Sequence, residues 1–332
     1  MHGIESPVQP ALDEELVTLA DIRAAAGRIR HIALRTPLLP LADGAWLKPE
    51  SLQPTGSFKI RGAYNALSSL SAERRAAGVV THSSGNHAQA IARSARLLGM
   101  RAVVVMPNNA PAIKVAGVRA DGAEIVFVGP ANEERVERAH QLADTKGLEL
   151  VSSANDLRVI AGQGTIGLEI VEQLAELRAD GSATVLVPVG LGGLSAGVSS
   201  AVKALSPDWR VLGVEPALAA DTHESLARGR RVAWPSDMVG RTIADGLRGE
   251  APAPIPFAHL MRNLDGVLTV EEAHIEQAVR RAAADLKLVL EPSGAVSLAA
   301  FHTFGADLAR PLVVVASGGN IDRQRYIEML GG

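Results

Sequence analysis

The sequence predicts an α/β protein built from parallel strands that alternate with helices. Short apolar runs rich in β-branched residues recur between helix-like stretches, which is the pattern of βαβ units. The runs are continuously apolar rather than alternating, as expected for strands that helices cover on both faces. Aromatic residues make up 3% of the chain and AVILMFWYC residues 47%, so we expect an aliphatic core. The predicted strands are 79–82, 102–106, 124–128, 184–189, 210–215 and 311–316.

Capping residues and glycines indicate where helices begin and end. Thr18 followed by Asp21 predicts a helix N-terminus, because each side chain can accept a hydrogen bond from the backbone of the other. The acidic pair after Asn132 and the glycine at 147 predict a helix from about 132 to 146. The proline-rich segment 251–257 is interpreted as a surface loop.

Composition excludes several classes of function. The 33 basic and 36 acidic side chains give a net charge of −3, so the positive surface of a nucleic-acid-binding protein is not expected. The chain has no cysteine, which excludes disulfides, thiolate nucleophiles and cysteine-ligated metals. No apolar run approaches the ~20 residues of a membrane helix, and the N-terminal segment is acidic, unlike a secretory signal. We therefore expect a soluble, cytoplasmic protein with neither a membrane nor a nucleic-acid partner.

A glycine-rich loop at 190–193 follows the predicted strand 184–189. Its glycines allow backbone N–H groups to converge, and the helix that follows adds the positive end of its dipole, so the loop favours a phosphate group. Two alternatives stay open: the glycines serve only a tight turn, or the loop belongs to a dinucleotide-binding fold with Glu215 as the ribose-binding acid. Ser195 weakens the latter, because it occupies the third glycine position of G-x-G-x-x-G.

Three further segments carry side chains suited to binding or catalysis. Lys59 lies between an aromatic and an apolar residue, where desolvation lowers a lysine pKa and exposes an amine that suits a Schiff base; a solvated surface lysine is the alternative. The loop 83–87 offers hydroxyls, an amide and backbone N–H groups to a carboxylate, or is an ordinary capped helix start. The loop 317–320 follows the last strand. Because such loops follow the carboxyl ends of strands, we expect them at one edge of a sheet.

Taken together, the motifs resemble the fold-type-II pyridoxal-phosphate enzymes, and within them the threonine/serine dehydratase and serine racemase family. The motifs are SFKIRGA at 57–63, SSGNH at 83–87, GLGG at 190–193, EPSGA at 291–295 and SGGN at 317–320. The similarity runs in order from about Leu16 to Asp322. It implies a fold like that of the tryptophan synthase β subunit, with two open twisted sheets flanked by helices. We predict a large cofactor-binding domain of residues 1–75 plus 157–332 and a small domain of residues 76–156.

The resemblance implies a role for each residue that contacts the cofactor, pyridoxal 5′-phosphate. Lys59 would form the Schiff base, with Phe58 against the ring. Asn86 would bond the ring hydroxyl, and Ser317 would face the pyridine nitrogen. The phosphate would be bound by the backbone of Gly190, Leu191, Gly192, Gly193 and Leu194. Leu191 stands where glycine is usual, and only its backbone is required unless the position needs a positive φ.

The resemblance also implies substrate and metal ligands. Ser84 would be a second catalytic group, on the cofactor face opposite the lysine. The substrate carboxylate would be bound by Ser83, Ser84, Asn86, His87 and Arg135. Glu215, Asp221 and the carbonyl of Ala219 match a divalent-cation site, whose hard oxygen ligands suit Mg²⁺ or Ca²⁺. The alternative is that one acid ends a strand and the other caps the next helix.

The function implied is a pyridoxal-phosphate-dependent dehydratase, or ammonia-lyase. It would convert L-threonine, L-serine or a related β-hydroxy amino acid into a 2-oxo acid and ammonia. Serine racemase and 3-hydroxyaspartate dehydratase of the same family are alternatives. A more distant alternative is a nicotinamide-dependent dehydrogenase, since that function would give Lys59 and the loop 83–87 no role. A cofactor-binding protein without catalysis is the non-enzyme alternative. We expect a homodimer that acts on a small amino-acid substrate.

Overall fold

Two sheets of mainly parallel strands form the framework of the structure. The computed structural model describes residues 16–42, 44–83, 85–110, 112–179 and 181–331. The strands are β1 (Leu39–Pro40), β2 (Ala45–Pro49), β3 (Val79–His82), β4 (Ala102–Pro107), β5 (Glu124–Val128), β6 (Glu149–Leu150), β7 (Thr184–Pro188), β8 (Arg210–Pro216), β9 (Gly266–Val270) and β10 (Leu312–Ala316). The larger sheet has the order β1-β2-β10-β7-β8-β9 and the smaller has the order β5-β4-β3-β6. All pairs described are parallel except β1–β2. The predicted α/β class is confirmed.

Helices connect the strands and cover the sheets. They are α1 (Leu19–Ile29), α2 (Lys59–Ser68), α3 (Ala72–Ala77), α4 (Asn86–Leu97), α5 (Ala112–Ala120), α6 (Asn132–Lys146), α7 (Leu157–Glu176), α8 (Gly193–Leu205), α9 (Asp221–Ala227), α10 (Ser236–Val239), α11 (Pro254–Asn263), α12 (Glu272–Leu286), α13 (Pro292–Phe304) and α14 (Arg323–Met329). The predicted capping box of Thr18 and Asp21 begins α1, and Gly147 ends α6 in the left-handed conformation. Within the described part of the chain, no helix has both the length and the apolar character needed to cross a membrane.

The burial of β10 explains why the predicted strands are continuously apolar. Leu312 and Val314 face one hydrophobic cluster of the larger sheet, whereas Val313 and Val315 face the cluster on its other side. Because side chains alternate between the two faces of a strand, helices on both faces bury every residue of β10. The edge strand β5 is less covered, and its residues are partly exposed.

Two features of the fold differ from the sequence predictions. The segment 251–257 is not a surface loop: Pro252, Pro256 and Phe257 are buried, and α11 begins at Pro254. Proline is accommodated there because N–H groups in the first turn of a helix have no intrahelical partner. The strands β1, β2, β6 and β9 were not predicted. In β2 the sequence pattern is interrupted by Lys48, which is fully buried and bonded to Glu169.

The topology gathers the loops that carry the motifs. The segments that follow β3, β7 and β10 carry motifs, and each begins at the carboxyl end of a parallel strand. Because β3 belongs to the smaller sheet and β7 and β10 belong to the larger, the expectation that these loops share one edge of a single sheet is wrong. An isolated bridge between Ser57 and Gly318 joins the last of these loops to the segment before α2. The smaller sheet lies between residues 79 and 150 of the chain. The division into domains at residues 76 and 156 stays a prediction.

Candidate active site

Lys59 is the first residue of α2, and its amine is free of carboxylate partners among the described residues. The Nζ atom donates a hydrogen bond to the Ser153 carbonyl at 3.0 Å and lies 4.9 Å from the centroid of the Phe58 ring. Burial lowers the pKa of Lys59 to about 8, because desolvation penalises the ammonium form. An amine with this pKa is partly neutral near pH 8 and is therefore nucleophilic.

The loop 190–193 leads from β7 into α8. Gly192 has φ +91°, a conformation that favours glycine, and a Cβ there would lie 2.8 Å from the Cβ of Pro256. A Cβ at Gly193 would lie 3.0 Å from the Cα of Ala154. Leu191 does not have a positive φ, and its side chain is 41% exposed. Leucine is therefore compatible with this loop.

A short segment joins the Lys59 amine to the glycine loop. The carbonyl of Ser153 accepts the amine hydrogen bond, and the next residue, Ala154, packs against Gly193. The N-terminus of α8 adds the positive end of its dipole and the unpaired N–H groups of its first turn. One ligand that carries both a carbonyl carbon and a phosphate fits this arrangement.

Asn86 begins α4 and lies in a network of polar side chains. Its Nδ2 donates to Oε1 of Glu291 at 2.6 Å, and its Oδ1 accepts from Nδ2 of Asn320 at 2.8 Å. Burial, and after it the charge of Asp245, raises the pKa of Glu291 to about 7. The sequence indicated the motifs that contain Glu291 and Asn320 but not the roles of these side chains. Only the fold brings them beside Asn86.

Ser317 lies next to Phe58, directly after the end of β10. The Ser317 carbonyl accepts from the Phe58 backbone N–H at 3.1 Å, and the residue is 5% exposed. Its Oγ lies 3.5 Å from the Ser293 carbonyl, a long hydrogen bond that leaves the hydroxyl able to turn to another partner.

The predicted substrate-binding residues 83, 84 and 87 are considered one by one. His87 is buried, its Nε2 lies 3.4 Å from the Val151 carbonyl, and burial followed by the charge of Lys59 lowers its pKa to about 3. The Ser83 hydroxyl accepts from the Gly85 N–H at 3.2 Å. Ser84 lies outside the described residues.

Arg135 stands apart from these residues. It bonds Asn132 on its own helix at 3.0 Å, and burial lowers its pKa. It lies near the end of β3, where its charge, after burial, lowers the pKa of His82. No hydrogen bond joins Arg135 to another predicted site residue that the structure describes.

Glu215 and Asp221 form a buried pair at the end of β8. The Glu215 carboxylate accepts from the N–H groups of Thr222 at 3.1 Å and His223 at 2.9 Å, whereas both Asp221 oxygens are buried without a hydrogen-bond partner. Burial raises the pKa of Asp221, and burial together with the charge of Asp221 raises the pKa of Glu215. Ala219 is buried between them in the chain. Unpaired buried carboxylate oxygens fit a hard divalent cation such as Mg²⁺ or Ca²⁺.

A further ion pair was not anticipated from the sequence. Lys114 of α5 and Asp245 bond at 2.8 Å, and Asp245 also lies 3.4 Å from the Ser293 hydroxyl. A Cβ placed on Gly85 would lie 3.8 Å from the Lys114 amine. The pair therefore lies close to the loop 83–87.

Comparison with known proteins identifies one family. The family model described as "Pyridoxal-phosphate dependent enzyme" matches residues 29–318. An L-threo-3-hydroxyaspartate ammonia-lyase from Pseudomonas sp. is 39% identical, over 96% of this chain and 100% of that protein. An L-threonine ammonia-lyase from Thermotoga maritima is 39% identical, over 92% of this chain and 76% of that protein. The structure of maize serine racemase superposes with a TM-score of 0.88 at 34% identity, covering 96% of this chain and 98% of that one.

Proposed function

Because this chain belongs to the pyridoxal-phosphate-dependent enzymes, we propose that it is an ammonia-lyase for β-hydroxy amino acids. The substrate is L-threonine, L-serine or L-threo-3-hydroxyaspartate, and the products are a 2-oxo acid and ammonia. The observation that carries this proposal is the Lys59 amine, which has a lowered pKa, no carboxylate partner in the described structure and a place beside the glycine loop. The names of the relatives support the type of substrate.

Pyridoxal phosphate, when bound, supplies an electron sink for negative charge at the substrate Cα. The backbone of residues 190–194 would bind its phosphate, and Asn86 would bond its ring oxygen. Ser317 would offer the ring nitrogen a neutral hydroxyl rather than an acid, and Phe58 would pack against the ring. Lys59 would then lie within reach of the substrate Cα.

The chain's own groups then perform the proton transfer. The backbone and hydroxyls of the loop 83–87 bind the substrate carboxylate, and the neutral Lys59 Nζ removes the Cα proton. The Cα–H electron pair forms the Cα–Cβ double bond as the β-hydroxyl takes the proton from the Lys59 ammonium group and leaves as water. The released enamine tautomerises to an imine, which water hydrolyses to the 2-oxo acid and ammonia. His87 acts as a neutral positioning group, because its pKa of about 3 keeps it uncharged at neutral pH.

A substrate panel tests the proposed function directly. We expect the holoenzyme to release 2-oxo acid and ammonia in equal amounts from at least one of L-threonine, L-serine, L-threo-3-hydroxyaspartate and phenylserine. L-Alanine, which lacks the leaving hydroxyl, is the control and should give neither product. If cofactor-loaded enzyme forms no 2-oxo acid from any of the four substrates, the proposal is wrong.

Serine racemisation is a second candidate, favoured by the similarity to maize serine racemase. Inversion needs a proton donor on the face opposite Lys59, the role that the sequence resemblance gives to Ser84. We expect L-serine elimination to dominate with a minor yield of D-serine, since a barrier difference of ~1.4 kcal/mol makes one outcome tenfold faster. Ser84→Ala should abolish D-serine formation and spare much of the elimination.

Chiral chromatography of the reaction products checks this prediction. The matched control is Ser83→Ala, which removes the neighbouring hydroxyl and should raise KM without abolishing D-serine formation. If the unaltered enzyme forms no D-serine, the racemase activity is excluded and only the dehydratase activity remains.

The proposal includes a divalent cation at Glu215, Asp221 and the Ala219 carbonyl. A cation at 100 times its Kd would stabilise the fold by ~2.7 kcal/mol, so chelation should lower the melting temperature and Mg²⁺ or Ca²⁺ should restore it. Asp221→Ala should remove this response. Glu224→Ala, which changes a carboxylate of the same helix bonded to Trp234, is the matched control and should keep it. An unaltered protein whose melting temperature is insensitive to chelators would contradict the metal assignment.

A further inference from the structure

The orientation of the Asn86 amide is determined by a chain of hydrogen bonds that begins at a backbone carbonyl. Nδ2 of Asn320 donates to the Thr55 carbonyl at 2.8 Å, and a carbonyl can only accept. The Asn320 atom at this position must therefore be nitrogen. The same nitrogen lies 2.8 Å from Asn86, so the Asn86 atom that faces it must be the acceptor, Oδ1. It follows that Nδ2 of Asn86 points the other way, toward Glu291.

Glu291 completes this orientation from the opposite side. Its Oε1 accepts from Asn86 Nδ2 at 2.6 Å, a length typical of a strong bond to a carboxyl oxygen. This bond uses one of the two amide hydrogens of Asn86. The second has no partner among the described residues. Asn86 thus has one amide N–H left to donate to a group beside it, whereas its Oδ1 faces Asn320.

Glycines at two positions allow these polar side chains to lie close to the backbone. A Cβ at Gly318 would lie 2.2 Å from Glu291 Oε1 and 3.2 Å from Asn86 Nδ2. A Cβ at Gly56 would lie 2.2 Å from Asn320 Oδ1. Each glycine therefore lets the polar groups approach to a distance that no other residue would permit.

We propose that Glu291 and Asn320 are positioning residues that make Asn86 donate a hydrogen bond to the ring oxygen of pyridoxal phosphate. A donor stabilises the ionised oxygen over the protonated one, because the ionised form is the stronger acceptor. The bound cofactor is thereby held in the form that absorbs visible light. This inference rests on the proposed placement of Asn86 at the ring oxygen.

The test is the absorption spectrum of the holoenzyme at saturating cofactor. Asn320→Asp places an acceptor where the donor was, so the Asn86 amide turns over and presents its oxygen to the cofactor. We expect the ratio of the visible band to the near-ultraviolet band to fall by about fivefold, the effect of one hydrogen bond in a partly buried site. Asn320→Ala removes the donor without adding charge and should shift the ratio in the same direction by less.

The matched control is Gln89→Glu. The Gln89 Oε1 accepts from Asn320 Nδ2 at 3.2 Å, so this change adds a negative charge to the network and reverses no hydrogen bond. The band ratio should stay as in the unaltered enzyme. The inference is overturned if Gln89→Glu shifts the ratio as far as Asn320→Asp, or if both Asn320 variants bind cofactor and leave it unchanged.

One more variant separates this inference from the placement on which it rests. Asn86→Ala removes the amide itself and should shift the ratio at least as far as Asn320→Asp. If Asn86→Ala leaves the spectrum unchanged, Asn86 does not bond the ring oxygen, and the proposed cofactor site is wrong along with the inference. If Asn86→Ala shifts the spectrum and the Asn320 variants do not, the site stands and the inference alone fails.

Discussion

Lys59→Ala is expected to remove the visible absorbance of the bound cofactor and to lower turnover by at least ~10²–10⁴-fold, the contribution of a positioned general base. The purified variant should be colourless. The physical reason is that the described structure offers no second amine in an equivalent setting. Lys48, Lys114, Lys146 and Lys203 are paired with carboxylates, and Lys287 bonds the last turn of its helix.

An absorption scan and a 2-oxo acid assay of the same preparation measure both effects. Lys203→Ala is the matched control. It removes a lysine in the last turn of α8 that bonds Asp265, and the variant should keep both colour and turnover. The pKa of about 8 adds a pH dependence, because only the neutral amine attacks a carbonyl carbon. The rate at which apoprotein takes up cofactor should rise with pH and level off above about 8. A coloured, active Lys59→Ala enzyme would contradict the assignment.

Arg61→Met is expected to lower the free energy of unfolding by about 3–5 kcal/mol, because it leaves a buried carboxylate without its cation. Arg61 and Glu50 are both fully buried, and the guanidinium bonds Glu50 at 2.7 and 2.9 Å and Glu169 at 2.6 Å. Burial alone would raise the pKa of Glu50, but the charge and hydrogen bonds of Arg61 hold it below its usual value. The network lies two residues along α2 from Lys59.

Urea unfolding at saturating cofactor measures this loss. Arg61→Met combined with Glu50→Gln should recover part of it, since the unpaired charge is then gone. Arg281→Met breaks an exposed pair with Asp285 and should change stability by less than about 1 kcal/mol. A similarly small loss for Arg61→Met would show that the buried network contributes no more than a surface pair.

The sign of the pH dependence follows from the lowered pKa of Glu50. In the unaltered protein this group stabilises the fold above its unfolded pKa, and that contribution is lost as the pH falls through the folded value. In Arg61→Met the pKa of the buried Glu50 should rise. The difference in the free energy of unfolding between the variant and the unaltered protein should therefore become smaller in mild acid.

Several parts of the fold could be predicted from local pattern alone. The central strands are apolar on both faces, so a run such as 312–316 shows its burial directly in the sequence. β2 could not be predicted in this way. Its buried Lys48 looks like a surface residue until Glu169, 121 residues away in the chain, is placed beside it. The segment 251–257 failed for a related reason, because prolines suit a first helical turn as well as a loop.

The candidate site shows the same limit. The glycine loop and Lys59 could be proposed as site residues because short motifs carry their chemistry. The direction in which Asn86 donates could not, since it depends on Glu291 and Asn320, which lie 205 and 234 residues away in the chain. Pairings of this kind exist only once the fold has brought distant loops together.

Reductive trapping locates the lysine that binds the cofactor. Borohydride reduction of the holoenzyme makes the link between lysine and cofactor permanent, and peptide mapping by mass spectrometry then identifies the modified residue. We expect the cofactor on Lys59, the one lysine of six whose amine is held beside the glycine loop by the segment that contains Ser153 and Ala154. Attachment to Lys48, Lys114 or Lys203 instead would contradict this expectation.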